Sequence, residues 1–133
     1  ALLASLSQLS ERYNLVVSAG KNHIAKLIAN DGGTVNVGFI DVGTSSTAPA
    51  VGQTDLQGLI AGARETVDDD FSTNNIATVD ALIIAANKQG TWAEGGAFWA
   101  SVAGDMLSRS LFSPTVPHTG AQADLVDVDL TVG

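Results

Sequence analysis

The last segment of the chain alternates apolar and polar side chains with great regularity. In LVDVDLTV, residues 125–132, the apolar positions are Val126, Val128, Leu130 and Val132, and the positions between them are Asp127, Asp129 and Thr131. This period of two predicts a β-strand with one apolar face and one acidic face. A strand of this kind needs a second layer to cover its apolar face, so the segment constrains the whole fold.

Five further strands are predicted, at 35–42, 63–67, 76–86, 91–100 and 105–112. Turns rich in Gly, Pro, Asn and Ser separate them at intervals of about ten residues, which is typical of an antiparallel β-sandwich. The strands do not alternate with full helices, which argues against a doubly wound parallel sheet. The sequence therefore predicts a mainly β fold, with two or three short helices in the N-terminal third.

Two of these strand predictions leave an alternative open. The segment 76–86 also fits a helix, because Val79, Leu82, Ile83 and Ala86 satisfy helical spacing. In 35–42 the apolar residues point both ways, so this strand is either covered on both faces or interrupted by a bulge.

The first predicted helix is amphipathic and covers residues 1–14. Leu2, Leu6, Leu9 and Tyr13 form one apolar stripe on it. A helix this short is marginal alone, so the stripe packs either on its own domain or on a neighbouring subunit. We expect a docking or oligomerisation segment at 1–14, followed by a single β-sandwich domain at 15–133.

Two more helices are predicted. Residues 21–30 present Ile24, Leu27 and Ile28 on one face, and the sequence Asn30-Asp31-Gly32-Gly33 ends this helix. A short helix of one or two turns is predicted within 54–60, with Thr54 or Asp55 as its cap.

Composition excludes several functions. The formal net charge is −8 with only six basic residues, so direct nucleic-acid binding is not expected. Cysteine is absent, which excludes disulfides and thiol catalysis. No apolar run is long enough to suggest a membrane span. Asp outnumbers Glu by 11 to 3, a bias that fits either adaptation to strong salt or an ordinary acidic protein.

The segment DVGTSSTAPAVGQTDL, residues 41–56, joins two apolar regions. It lacks the Gly and Lys spacing of a phosphate-binding loop. Its hydroxyl groups are expected to bond the loop's own backbone, while Pro49 stiffens it. We therefore predict a loop of fixed shape.

Few side chains are candidates for chemistry. A hydrolase would need His23 or His118 beside a serine and oriented by a carboxylate, but no nucleophile motif surrounds either residue. His118 is expected in a Pro-rich turn and His23 on a partly exposed helix.

The acidic and aromatic clusters have simpler interpretations. Asp68, Asp69 and Asp70 lack the spacing of a calcium loop and are expected in a solvated acidic loop. Asp127 and Asp129 either line an oligomer axis or keep the surface hydrated. Trp92, Phe98 and Trp99 are expected in a core or interface, the alternative being stacking on sugar rings.

The order of motifs along the chain resembles a family of small structural proteins of tailed viruses of bacteria or archaea. The resemblance rests on the segments AGKNHIAKLIA, FIDVGTSSTAPAVGQTDLQ, GTWAEGGAFW, DMLSRSLFSP and LVDVDLTV. The matching positions are Gly43, Thr44, Thr47, Ala48, Pro49, Thr54, Asp55, Leu56, Glu94, Gly96, Phe98, Leu107, Arg109, Phe112 and Pro114. The chain departs from the pattern at Ser45, at His118-Thr119 and over its first fourteen residues.

The resemblance implies a non-enzymatic virion protein with no catalytic, cofactor-binding or metal-binding residues. It implies a homo-oligomer, a trimer or pentamer, that contacts other virion proteins such as the major capsid or tail protein. Its place would be the capsid surface, as a decoration or turret, or the tail. The alternative is a tail fibre or a carbohydrate-binding adsorption module.

Overall fold

The computed structural model describes residues 15–29, 36–102 and 106–131. In these ranges the chain is mainly β, with one helix and eight strands. The elements are β1 (Leu15–Val16), α1 (Ser18–Ala29), β2 (Phe39–Gly43), β3 (Glu65–Thr66), β4 (Asp69–Thr73), β5 (Ile76–Ile83), β6 (Gly90–Phe98), β7 (Met106–His118) and β8 (Asp124–Thr131). The helix predicted over residues 1–14 lies outside the described residues.

The strands form two antiparallel sheets. The large sheet has the order β1-β7-β6-β2-β3, and the small sheet has the order β4-β5-β8. Both contribute to one apolar core: Ile40 and Val42 come from the large sheet, while Ala81, Ile83 and Val126 come from the small sheet. The mainly β prediction is confirmed.

The final strand has the predicted two faces. Val126 and Val128 on β8 are buried, while Asp127 and Asp129, which alternate with them, are partly exposed. Segment 76–86 forms a strand at Ile76–Ile83 and not a helix. Pairing with β4 and with β8 resolves the ambiguity, because a helix at this position would leave the backbone groups of both neighbouring strands without partners.

Strand β2 is covered on both faces. Ile40 and Val42 join the main core, whereas Phe39 packs with a second cluster formed by Val17, Leu56, Phe98 and Met106. For the strand that forms, Phe39–Gly43, this result favours coverage on both sides, whereas Val37 precedes the strand and packs against the main core. The cover on the second face includes Leu56, from the connection between β2 and β3.

Helix α1 differs from its prediction in the residues that it buries. It begins at Ser18, and Gly20 and His23 are its buried residues. Ile28 is 83% exposed, although its spacing placed it on the apolar face. His23 lies on a partly exposed helix, as predicted, but its own side chain is buried, and its ring stacks on Trp99 with centroids 3.8 Å apart.

Two irregular segments were predicted incorrectly. Residues 54–60 form bends and an isolated bridge at Leu59 instead of a helix, and the amides of Gln57 and Gly58 donate to the Glu94 carboxylate of the large sheet. Asp69 and Asp70 lie in strand β4 rather than in a loop, paired with Asp80 and Val79. Every residue of β4 is exposed, so its sequence lacks the alternation of apolar and polar residues that predicts a strand.

Strand β7 continues beyond its predicted end at residue 112. It runs through Pro114 and Pro117 to His118, so the expected Pro-rich turn is in fact strand. Strand β1 pairs with β7 only at Ser108 and Arg109. Among the described residues, no strand pairs with this edge of β7 beyond Arg109, and an unpaired edge tolerates a proline nitrogen without a hydrogen.

Candidate functional site

The connection from residue 44 to residue 64 lies on the second face of the large sheet, and we refer to it as the anchored loop. Connections of this length without regular structure are uncommon and usually functional. Its base is closed by a bridge between Gly43 and Leu59, and Thr44 N donates to Gly58 O across 2.8 Å. A Cβ atom at Gly43 would collide with Gly58 O and with the Glu94 carboxylate, so the close approach requires glycine.

A fully buried carboxylate lies beneath the anchored loop. Glu94 on β6 accepts hydrogen bonds from the backbone N–H groups of Ser45 (3.0 Å), Gln57 (2.8 Å) and Gly58 (2.6 Å). Arg109 Nε donates to its Oε1 across 2.8 Å. These bonds satisfy a buried charge and hold residue 45 and residues 57–58 of the loop on one side chain.

Arg109 extends this network to the far part of the anchored loop. Its Nη1 donates to Thr47 O at 2.7 Å and to Gln53 Oε1 at 3.3 Å, and its Nη2 lies 3.5 Å from Ser45 O. Gln53 Oε1 also accepts from Ala50 N. The planar guanidinium therefore joins one carboxylate to several loop acceptors, which a lysine could not do with the same geometry.

A second buried cation holds the later part of the loop. Lys88 Nζ lies 2.9 Å from Asp41 Oδ1 and donates to Ile60 O at 3.0 Å and Gly62 O at 2.9 Å. Burial raises the pKa of the Asp41 carboxyl above its ordinary value of 3.8, and the hydrogen bond and charge of Lys88 partly offset that rise. The pair connects strand β2 to residues 60–62.

A third cation secures the end of the anchored loop. Arg64 Nη1 donates to Ala100 O at 2.8 Å, and Nη2 donates to Asp55 Oδ1 at 3.1 Å. Its guanidinium carbon lies 3.6 Å from the centroid of the Phe98 ring, within cation–π distance. Arg64 is 8% exposed, so the contact is protected from water.

The hydroxyl groups of the anchored loop act as predicted. Thr47 N donates to Ser45 Oγ at 3.1 Å, and Ser45 Oγ donates to Thr47 Oγ1 at 3.0 Å. The prediction that they bond the loop itself is confirmed. On its outer side the loop exposes Val51 and Leu59, which are 50% and 60% accessible. The loop is therefore held by buried side chains beneath it and carries apolar side chains on its exposed side.

His118 is placed for a structural role. Its Nδ1 lies 2.6 Å from Asp124 Oδ2, and its Nε2 lies 3.1 Å from Ile84 O. The ring stacks on Trp92 at a centroid distance of 4.5 Å. A carboxylate does orient this histidine, but its second nitrogen faces a backbone carbonyl and not a serine hydroxyl.

The aromatic cluster is internal. Trp92 and Phe98 have no exposed surface, and Trp92 Nε1 donates to Lys88 O at 2.8 Å. Trp99 is partly buried against the core and stacks on His23. The core placement is therefore confirmed for Trp92 and Phe98, and neither ring can stack on a sugar without unfolding.

The carboxylates of the small sheet form a row across its strands. Asp69 on β4 is directly opposite Asp80 on β5, which is opposite Asp127 on β8. Asp129 accepts a hydrogen bond from Thr78 Oγ1 at 2.7 Å. Within residues 15–29, 36–102 and 106–131, no group of three carboxylate, histidine or cysteine side chains is arranged to hold a metal ion.

Four of the positions that carry the family resemblance meet at the anchored loop. Gly43, Asp55, Glu94 and Arg109 are far apart in the sequence and all form its contacts. Sequence reasoning assigned no role to Glu94 or Arg109. One feature of the sequence could have identified them: Glu94 and Arg109 are each a single charged residue in a segment of otherwise apolar or small residues.

Comparisons with protein-family models, curated proteins and solved structures gave no match to this chain. Across the part of the chain that the structure describes, no helix has the length and hydrophobicity to cross a membrane.

Proposed function

We propose that this chain is a non-enzymatic structural component of a tailed-virus particle. It would act as a homo-oligomeric β-sandwich at the capsid surface, as a decoration or turret, or as a tail-associated protein. The partners would be other copies of the chain, as a trimer or pentamer, and virion proteins such as the major capsid or tail protein. Its location would be the virion.

The main support for this proposal is that several positions of the family resemblance contact one part of the structure, the anchored loop. The motif positions Glu94 and Arg109 have no exposed side-chain surface, and they hold the anchored loop through its backbone. A motif that serves to fix a loop suits a protein whose loop is a contact surface. It does not by itself require a ligand or a reaction.

The state of the charged groups favours a structural role over catalysis. Asp41, Glu94 and Asp55 each form an ion pair, with Lys88, Arg109 and Arg64 respectively. These pairs hold the anchored loop or the strand beside it, so a structural role accounts for all three carboxylates.

A surface role also fits the sequence chemistry. A chain without cysteine and with one methionine has little to oxidise outside a cell. Repetition around a symmetric particle multiplies weak contacts, so one small exposed loop per copy is sufficient for firm attachment.

The first experiment localises the chain on purified particles with a gold-labelled antibody. Label over the head supports a decoration or turret, and label at the tail supports a tail component. Absence of label, with a capsid antibody as positive control, would contradict the proposed function.

A second experiment asks whether the anchored loop is the contact surface. Leu59→Asp places a charge on the exposed side of the loop, whereas Ile28→Asp places one on the exposed side of helix α1. We expect Leu59→Asp to reduce incorporation into particles by at least tenfold while the control is incorporated normally. Equal incorporation of both folded variants would exclude the loop as the contact.

A further inference from the structure

An open apolar groove separates helix α1 from one end of the small sheet. Its volume is about 570 Å³. Its apolar lining includes Ile24 and Leu27 from the helix, Phe71 and Val79 from the sheet, and Val16 from β1. Lys21, Asn36 and Asp70 supply polar groups to its lining.

The groove exposes more apolar surface than an isolated side chain would. Leu27 is 40% exposed and Phe71 is 53% exposed, and both belong to its lining. Contiguous exposed apolar surface of this kind marks a place where another segment or partner binds. Its lining favours an apolar occupant with few polar contacts.

The chain itself supplies a matching segment. Residues 1–14 precede β1 directly, and their predicted stripe ends at Tyr13, only three positions before the lining residue Val16. As a helix, Leu2 to Tyr13 would span about 17 Å, at about 1.5 Å per residue.

We propose that residues 1–14 occupy the groove of their own chain, with the Leu2, Leu6, Leu9 and Tyr13 stripe against Leu27 and Phe71. This inference does not depend on the proposed viral function. The stripe would then cover the groove of its own domain. The apolar side chains of the anchored loop would remain available to partners.

The acidic outer strands of the small sheet argue against a second copy as the occupant. The strands at the two edges of that sheet carry Asp69 and Asp70 on β4 and Asp127 and Asp129 on β8. Charged edges discourage strand pairing between copies, because like charges would be brought together. A copy approaching the groove along β4 would meet the same repulsion, whereas the chain's own first residues arrive from β1.

The test is a disulfide trap in the full chain, which has no natural cysteine. Leu27→Cys is combined in turn with Leu6→Cys and with Leu9→Cys, and the matched control replaces Leu27→Cys by Ile28→Cys. Ile28 is the neighbouring residue on the same helix, is 83% exposed and does not line the groove. We expect mild oxidation to give an intramolecular disulfide in at least one Leu27 pair, at more than tenfold the yield of the control.

Two outcomes would overturn the proposal. Disulfide-linked dimers from the Leu27 pairs would show that a second copy fills the groove. Failure of both Leu27 pairs to exceed the control would show that the segment does not lie there.

Binding of an apolar fluorescent dye gives an independent measurement. We expect Leu6→Ser with Leu9→Ser to raise dye fluorescence several-fold over the unaltered chain, because the groove becomes uncovered. Equal fluorescence before and after the change would contradict occupation by residues 1–14, and strong fluorescence of the unaltered chain would indicate a groove open to small apolar ligands.

Discussion

Arg109 Nε donates to Glu94 Oε1 across 2.8 Å, and neither side chain has any exposed surface. The pair does more than neutralise itself. Glu94 binds three backbone N–H groups of the anchored loop, and Arg109 binds a loop carbonyl at Thr47. Burial of two charges is costly, so their retention is explained by what they hold in place.

Removal of one partner should therefore be severe. Arg109→Met leaves the Glu94 carboxylate buried without its cation, and we expect the free energy of unfolding to fall by about 3–5 kcal/mol. Chemical denaturation measures this change. A loss below about 1 kcal/mol would show that the pair is not important for stability.

The double variant Glu94→Leu with Arg109→Met separates pairing from loop anchoring. It removes the unpaired charge, so part of the lost stability should return. Even so, the amide hydrogens of Ser45, Gln57 and Gly58 should exchange with solvent faster than in the unaltered chain, because their acceptor, the Glu94 carboxylate, is gone. Continued protection of these amides would show that other contacts fix the loop.

Gly20 should not tolerate alanine, although alanine is the better helix former. A Cβ at this position would overlap the carbonyl oxygen of Leu107, where α1 packs on β7. Overpacking against backbone costs about 1–3 kcal/mol, more than the roughly 1 kcal/mol that alanine adds in a helix. We expect a net loss in a thermal melt.

The control for that substitution is Gly52→Ala in the anchored loop. A Cβ there meets nothing within 4 Å, and we expect stability within about 0.5 kcal/mol of the unaltered chain. Equal behaviour of the two variants would contradict the close packing of α1 on β7.

The acidic row of the small sheet predicts salt-dependent stability. Asp80 lies between Asp69 and Asp127, and directly opposed like charges destabilise a sheet by about 0.2–1 kcal/mol per pair. Asp80→Asn should raise the melting temperature by a few degrees at low salt and reduce its rise with added salt. Asp70→Asn is the control, because Asp70 is opposite Val79 and outside the row. A melting temperature of the unaltered chain that stays flat from low to molar salt would refute high-salt adaptation.

Asp41 predicts the sign of one pH effect. Burial raises the pKa of its carboxyl above 3.8, so between 3.8 and that raised pKa the folded state binds more protons than the unfolded state. The contribution of Asp41 to stability is thus fully present below pH 3.8 and is lost as the pH rises through the folded pKa. A carboxyl carbon titration by NMR should give a midpoint above 3.8, and a midpoint at or below that value would contradict the burial argument.

The carbohydrate alternative loses its main support from the position of Trp92. Because this ring is fully buried, only the partly exposed Trp99 remains of the two tryptophans that such a module would use. Its stacking on His23 occupies one face of the ring. A sugar-stacking surface that uses both tryptophans is therefore excluded in this fold.

The sequence by itself determined the antiparallel β class and the two faces of β8, because the period of two places Val126 and Val128 on one side whatever the surroundings. It also indicated that hydroxyl groups of the 41–56 segment form hydrogen bonds within the segment, because contacts such as those between Ser45 and Thr47 are local. The position of β4 could not be predicted, because a strand exposed at every residue has no hydrophobic pattern. Nor could the burial of His23 on a helix whose spacing favoured Ile28, since that depends on a stacking partner far along the chain.

Only the tertiary structure decided what the isolated charges do. Asp41, Glu94 and Arg109 each interrupt an apolar strand, and their meaning depends on partners brought close by strand pairing and by the path of the anchored loop. Local propensity contains no information on which distant backbone groups will lie within hydrogen-bond distance of a side chain. The packing of the two sheets fixes those distances, and the distances in turn determine the conformation of the anchored loop.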